Sequence, residues 1–251
     1  MASDCPWWQV FFDSADSLIL SRFPSEAETK LEIEGLKRLV PLRIEDRIAD
    51  VCCGMGRHLL PLVSYGYQVV GLDRSPMMLA LAHRGAQAAG LQERLVLGDS
   101  SRLPFRDASL DVVLNLFNSF GYFEREEDDR GVLAEAARCL KPGGRFLLDT
   151  RNKKHQILFA PYHEPMRLHD GRELIMRCAF NGDTQRLVSR WYDAADQSRL
   201  VHEASIRLYA PAQIESMLEE AGLRVQARYG DYEGNEFEGW ERQLLFVCHR
   251  A

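Results

Sequence analysis

The chain has 251 residues, 46% of them hydrophobic, and a formal net charge of −6, so it can bury one substantial core but carries no basic surface suited to nucleic-acid phosphates. No apolar run approaches the roughly 18 residues of a membrane span, no basic-then-apolar leader pattern opens the chain, and the six cysteines lack the two-residue spacing of a zinc knuckle. A reduced cytoplasmic protein is expected, with no metal, nucleic-acid or membrane partner.

In chain order, Trp7, Trp8, Phe11 and Phe12 form an aromatic cluster, placed to pack within residues 1–44 as a helical cap or to cover a ligand. Ser25 to Val40 reads as a helix: Ser25 caps it, Glu26 and Glu28 sit at its positive end, and Pro41 stops it. Strands are expected at 47–52, 67–72, 94–98, 110–116 and 144–150, with helices at 57–65, 76–89 and 126–140 between them. That alternation predicts an α/β fold with a parallel sheet, right-handed crossovers and a ligand crevice at the carboxyl ends of the strands. From 164 to 209 the pattern changes to three partly alternating runs separated by Asn181-Gly-Asp and Asp193-Ala-Ala-Asp-Gln, the signature of an antiparallel insertion. Pro211 then opens a helix that Gly222 ends, and runs at 223–229 and 242–249 supply a closing antiparallel pair.

Ile48-Ala-Asp-Val-Cys-Cys-Gly-Met-Gly carries the chemistry, because a buried strand entering a Gly-x-Gly turn lets backbone approach a ligand closely. Val69-Val-Gly-Leu-Asp73 follows, an apolar run ending in an acid that can accept two ribose hydroxyls. Dinucleotide enzymes use a related turn but need a third glycine three residues after the second, where Leu59 stands, so a nucleoside ligand without a pyrophosphate is favoured. Arg57 places a cation at a helix start against the dipole, which calls for a compensating anion.

With Asp99 in Leu95-Val-Leu-Gly-Asp-Ser-Ser, Leu110-Asp-Val-Val-Leu-Asn-Leu-Phe117 and Lys141-Pro-Gly-Gly-Arg-Phe-Leu-Leu-Asp149, five motifs stand in one order. The chain resembles the class I S-adenosylmethionine-dependent methyltransferases, most closely over 48–150, and Asn118-Ser-Phe-Gly-Tyr-Phe123 resembles a small-molecule branch that includes amine methyltransferases. The resemblance implies a Rossmann-like, seven-stranded, mostly parallel sheet with helices on both faces and an antiparallel β insertion after strand five. It implies S-adenosylmethionine contacts from Asp50, Cys52, Gly54, Met55, Gly56 and Arg57, from Asp73 and Arg74, from Asp99, Ser100 and Ser101, and from Asn115, Leu116 and Phe117. Asn118, Tyr122, His155 and His163 are the acceptor-side candidates. A core of 45–163 with 210–251 would hold the cofactor, and the 164–209 insertion would wall the acceptor site or pair two subunits, as monomer or homodimer. The expected activity is methyl transfer to a small-molecule acceptor, an amine nitrogen ahead of a hydroxyl. The competing reading is a cofactor-binding protein of the same fold that no longer methylates or catalyses another reaction.

Overall fold

The computed structural model describes residues 6–13 and 24–251; the remainder of the expected 1–44 cap lies outside the described residues. Helix α1 (Trp7–Asp13) and helix α2 (Glu26–Leu39) precede β1 (Arg47–Val51), α3 (Leu59–Ser64), β2 (Gln68–Asp73), α4 (Pro76–Ala89) and β3 (Arg94–Leu97). Then come β4 (Leu110–Asn115), α5 (Glu126–Cys139), β5 (Leu140–Arg151) and α6 (Lys153–Phe159). A meander of β6 (Tyr162–Arg167), β7 (Glu173–Asn181), β8 (Arg186–Asp193) and β9 (Leu200–Arg207) follows, before α7 (Pro211–Glu220), β10 (Leu223–Tyr229) and β11 (Gln243–Arg250).

The helix ends obey local chemistry. Ser25 accepts from the Glu28 amide while Glu28 reaches back to the Ser25 amide, a reciprocal cap worth about 1 kcal/mol. Ser75 caps α4, Pro76 takes its first turn, and Gly90 ends it at φ 67°, a left-handed conformation that favours glycine.

Seven strands form one sheet in the order β10-β11-β5-β4-β1-β2-β3. β1 to β5 run parallel, whereas β11 is antiparallel to both β5 and β10. Apolar side chains pack on both faces: Leu133, Phe146 and Met217 belong to one cluster, and Ile33, Leu62 and Leu147 to the other. Burial on both faces explains why β1 and β4 read as nearly continuous hydrophobic runs.

The expected insertion is a separate four-stranded antiparallel sheet, ordered β6-β7-β8-β9. It begins at Tyr162 and ends at Arg207, a shift from the expected 164–209, because His163 and Glu164 already pair with Arg177 and Met176. The turn of α6 went unread: Asn152 caps Lys154, but only seven residues follow, too few to display a helical period.

Candidate functional site

A cavity of about 770 Å³ opens where β1, β2, β4 and β5 end, within the range for a bound small molecule. Its floor is made by the residues just after the strands, because successive parallel strands all terminate on this side of the sheet.

After β1 the chain turns through Cys52 at φ 63°, Gly54 at φ 55° and Gly56 at φ 83°. Gly54 lines the cavity with no protein atom within 4 Å of where a Cβ would stand. Asp73 locks this turn, its two oxygens accepting from the Gly54 amide at 2.8 Å and the Ser75 amide at 2.9 Å. Burial raises the Asp73 pKa against these backbone hydrogen bonds.

Asp50 is 2% exposed and lines the cavity, yet its Oδ2 has no hydrogen-bond partner. Burial, with the neighbouring Asp73 charge adding to it, lifts its pKa to about 7 while Arg57 pulls the other way. An acid held so unfavourably without a partner suits a ligand that brings a positive charge or an N–H donor.

The anion called for beside Arg57 is Glu32 of α2, 2.6 Å from Nη1, with Thr29 Oγ1 at 3.2 Å and the Phe117 ring under the guanidinium. Glu32 also accepts from His58 at 2.8 Å, and burial keeps the His58 pKa low. Arg74 joins Asp99 at 2.8 Å and stacks on Trp8, while Asp99 Oδ1 accepts from the Ser101 amide and hydroxyl.

Helix α1 roofs the cavity. Trp7 and Phe12 pack on Tyr122 with ring centroids 5.1 and 5.9 Å away, and Phe11 meets Trp191 of β8 at 5.5 Å. The Ser75 hydroxyl donates to the Phe12 carbonyl, tying this roof to the end of β2. Met176, Leu187, Trp191, Ala204 and Ile206 of the meander form the far wall, with Tyr162 and Ser189 of the same sheet adding hydroxyls.

Of the expected residues, the cavity gathers Asp50, Cys52, Gly54, Arg57, Asp73, Arg74, Asp99, Ser100, Leu116, Phe117, Asn118 and Tyr122. Six fall outside its lining. Gly56 faces Leu60 and Ala82, where its added Cβ would come within 3.0 and 3.3 Å, so it serves the packing of α3 and α4. Met55 joins the apolar cluster of Phe11 and Met78. Ser101 is engaged with Asp99, and Asn115 is buried within the sheet. His155 packs on Phe159 within α6, and His163 lies exposed on the outer strand β6.

Sequence reasoning passed over Asp149, which is fully buried at the end of β5 and accepts from the Phe117 amide at 3.0 Å and the Tyr232 hydroxyl at 2.9 Å. Burial raises its pKa to about 6. The signal was present, since Phe146-Leu-Leu-Asp149 repeats the apolar-run-then-acid pattern of Val69 to Asp73.

Residues 48–144 match the family described as "Methyltransferase domain". A demethylmenaquinone methyltransferase of Thermus thermophilus is 38% identical over 122 residues, covering 47% of this chain and 54% of that protein. A glycine/sarcosine N-methyltransferase of Parasynechococcus marenigrum is 37% identical over 144 residues, covering 57% of this chain and 49% of the relative. The chain thus spans about half the length of these curated relatives. Among solved structures, an S-adenosylmethionine-dependent methyltransferase from Clostridium acetobutylicum superposes with a TM-score of 0.76 at 19% identity, covering 97% of this chain and 99% of that one, which establishes a shared fold. Residues 48–144 therefore resemble the methyltransferase-domain family, within a chain that has the fold of S-adenosylmethionine-dependent methyltransferases.

Proposed function

We propose that the protein transfers a methyl group from S-adenosylmethionine to a small-molecule acceptor, at an amine nitrogen. The observation that carries the reading is the buried Asp50 carboxylate, whose Oδ2 has no hydrogen-bond partner among the described residues, at the foot of a cavity that also presents Asp73 and Asp99, three acids at the carboxyl ends of three adjacent strands. This donor set fits the group: Asp50 suits its ammonium, Asp73 its ribose hydroxyls, Asp99 and Ser100 its adenine edge, and the open face of Gly54 permits close backbone approach. Met55, Gly56, Ser101 and Asn115 act behind this surface by holding it in shape.

When bound, S-adenosylmethionine supplies an electrophilic methyl on a sulfonium, so no protein nucleophile is required. The chain's own work is alignment and exclusion of water. The α1 aromatics close one side, the meander closes the other, and Asn118 and Tyr122 project between them. Burial raises the Tyr122 pKa, so its hydroxyl stays protonated and orients an acceptor by hydrogen bonding. His58, the cavity's histidine among the described residues, is engaged by Glu32. An acceptor that arrives as a neutral amine with its own lone pair suits this site better than a hydroxyl needing a base. The glycine/sarcosine N-methyltransferase relative supports the same preference.

Incubation with methyl-labelled S-adenosylmethionine and matched amine and alcohol series, read by product mass, tests the proposal. One added methyl on an amine supports it. Methylated alcohols alone would move the assignment to oxygen, and cofactor binding with no methylated product from either series would reject methyl transfer.

A further inference from the structure

The loop after β4 carries Asn118 and Tyr122 into the cavity, and residues 121–124 of it are held chiefly by the meander. The Arg207 amide donates to the Gly121 carbonyl at 2.7 Å, and Arg207 Nη2 donates to the Glu124 carbonyl at 2.7 Å. Arg186 of β8 donates through Nη2 to the Phe123 carbonyl and through Nη1 to the Ser205 carbonyl at 2.8 Å. Three carbonyls around Tyr122 are therefore gripped by two arginines of the inserted sheet. Gly121 shows how close the approach is, since a Cβ there would lie 2.3 Å from the Arg207 carbonyl oxygen.

Arg186 is 5% exposed, and its nearest carboxylate in an ion pair, Glu124, is 3.9 Å away and largely exposed. Burying a guanidinium mainly on backbone carbonyls is a poor route to stability, because an apolar side chain of similar volume fills such a space at less desolvation cost. What the guanidinium adds is geometry, two donors in a fixed fork joining β9 to the turn. From the other side, Asp129 accepts from the Phe123 amide at 3.4 Å and from the Tyr209 hydroxyl at 2.7 Å, so Phe123 is held at both its N–H and its C=O.

We propose that Arg186 is a positioning residue that fixes residues 121–124 against β9 and so sets Tyr122 for the acceptor. The inference rests on the methyl-transfer reading for its kinetic consequence and on geometry alone for its mechanical one. Misplacing a reacting group by about 1 Å can lower a rate about 100-fold without loss of substrate binding elsewhere.

The test compares Arg186→Met and Arg186→Lys with the wild-type chain by S-adenosylmethionine affinity, kcat, acceptor KM and amide hydrogen exchange. In the Met variant we expect cofactor Kd within about twofold of wild type, kcat lowered about 10- to 100-fold, and faster exchange at 122–125 with the 52–56 turn unchanged. Lys reaches one carbonyl in place of two and restores part of kcat. Unchanged kcat and exchange in a folded variant would overturn the proposal, as would parallel loss of cofactor binding and kcat, which signals general disruption. Should the Met variant fail to fold, the Lys variant decides by the same criteria. If the wild-type chain methylates nothing, the transfer reading fails, while exchange at 122–125 still supports or refutes the positioning role.

Discussion

The floor and the far wall of the cavity are built on opposite principles. Acids dominate the floor, and they are organised by hydrogen bonds between the ends of neighbouring strands and within single turns: Asp73 binds Gly54 19 residues away, and Asp99 binds Ser101 two residues away. Aromatic and aliphatic side chains dominate the wall, and long-range contacts organise it: Phe11 meets Trp191, and Arg186 reaches Phe123 63 residues away. A binding surface of the first kind can persist while the second kind varies, because strand ends fix the acids and a separate sheet supplies the wall. Cofactor recognition and acceptor recognition are thus expected to respond independently to mutation.

The largest expected effect tests the floor. Asp73→Ala would remove the two charge-assisted hydrogen bonds proposed to the ribose, each worth about 1.5–3 kcal/mol, and would free the Gly54 amide. S-adenosylmethionine affinity should fall at least about 100-fold by calorimetry. A Kd within threefold of wild type would place the ribose elsewhere. The wall is tested next by Trp191→Ala, which empties a site 4% exposed and should lower stability by about 3–5 kcal/mol. Its acceptor KM should rise while cofactor Kd in the folded fraction holds, and equal losses in both would dissolve the distinction between floor and wall.

This division also explains what the chain revealed unaided. The seven-stranded sheet was legible because strands buried on both faces write long apolar runs, and the floor was legible because its acids stand at the carboxyl ends of those runs, Asp73 closing β2 and Asp50 one residue before the end of β1. The expected bounds of α4, 76–89, hold because Ser75, Pro76 and Gly90 have local conformational meaning. Arg186 was invisible because its partners are backbone carbonyls on distant segments, which leave no mark on spacing or residue type. The places of His155 and His163 were illegible for a related reason: nearness in sequence to the end of β5 fixed neither the turn of α6 nor the outward edge of β6.

Asp50 sharpens the comparison through pH. Its folded pKa of about 7 exceeds its ordinary value of 3.8, so the folded state holds the extra proton between them. Stability of the ligand-free protein is therefore fullest below pH 3.8 with respect to this group and declines as pH rises to about 7. Asp50→Asn removes that penalty and should stabilise the ligand-free chain by about 2–4 kcal/mol at pH 8, with the gain vanishing near pH 4. Cofactor affinity behaves oppositely. A cationic amine favours the ionised carboxylate, so wild-type Kd should weaken as pH falls below about 7, whereas the Asn variant should bind weakly with little dependence on Asp50 titration. Thermal unfolding and calorimetry across pH 5 to 8 measure both trends, and an Asn variant that binds as tightly as wild type would remove Asp50 from the cofactor site.

The smallest effect separates contact with the ligand from support of it. Gly56 follows Gly54 in the same turn, yet its Cβ direction points at Leu60 and Ala82 instead of into the cavity, and its φ of 83° lies where side chains are disfavoured. Gly56→Ala should therefore destabilise folding by about 1–2 kcal/mol through backbone strain and crowding of α3 against α4. Any ligand contact through this position would instead appear as lost affinity at full stability. Calorimetric titration well below the unfolding temperature distinguishes the two: an unchanged Kd with a lowered unfolding midpoint identifies Gly56 as scaffold, and a weakened Kd with an unchanged midpoint would return it to the binding surface. Gly54→Ala supplies the contrast, since its Cβ enters open space over the cavity floor and should weaken binding beyond the strain it shares with Gly56.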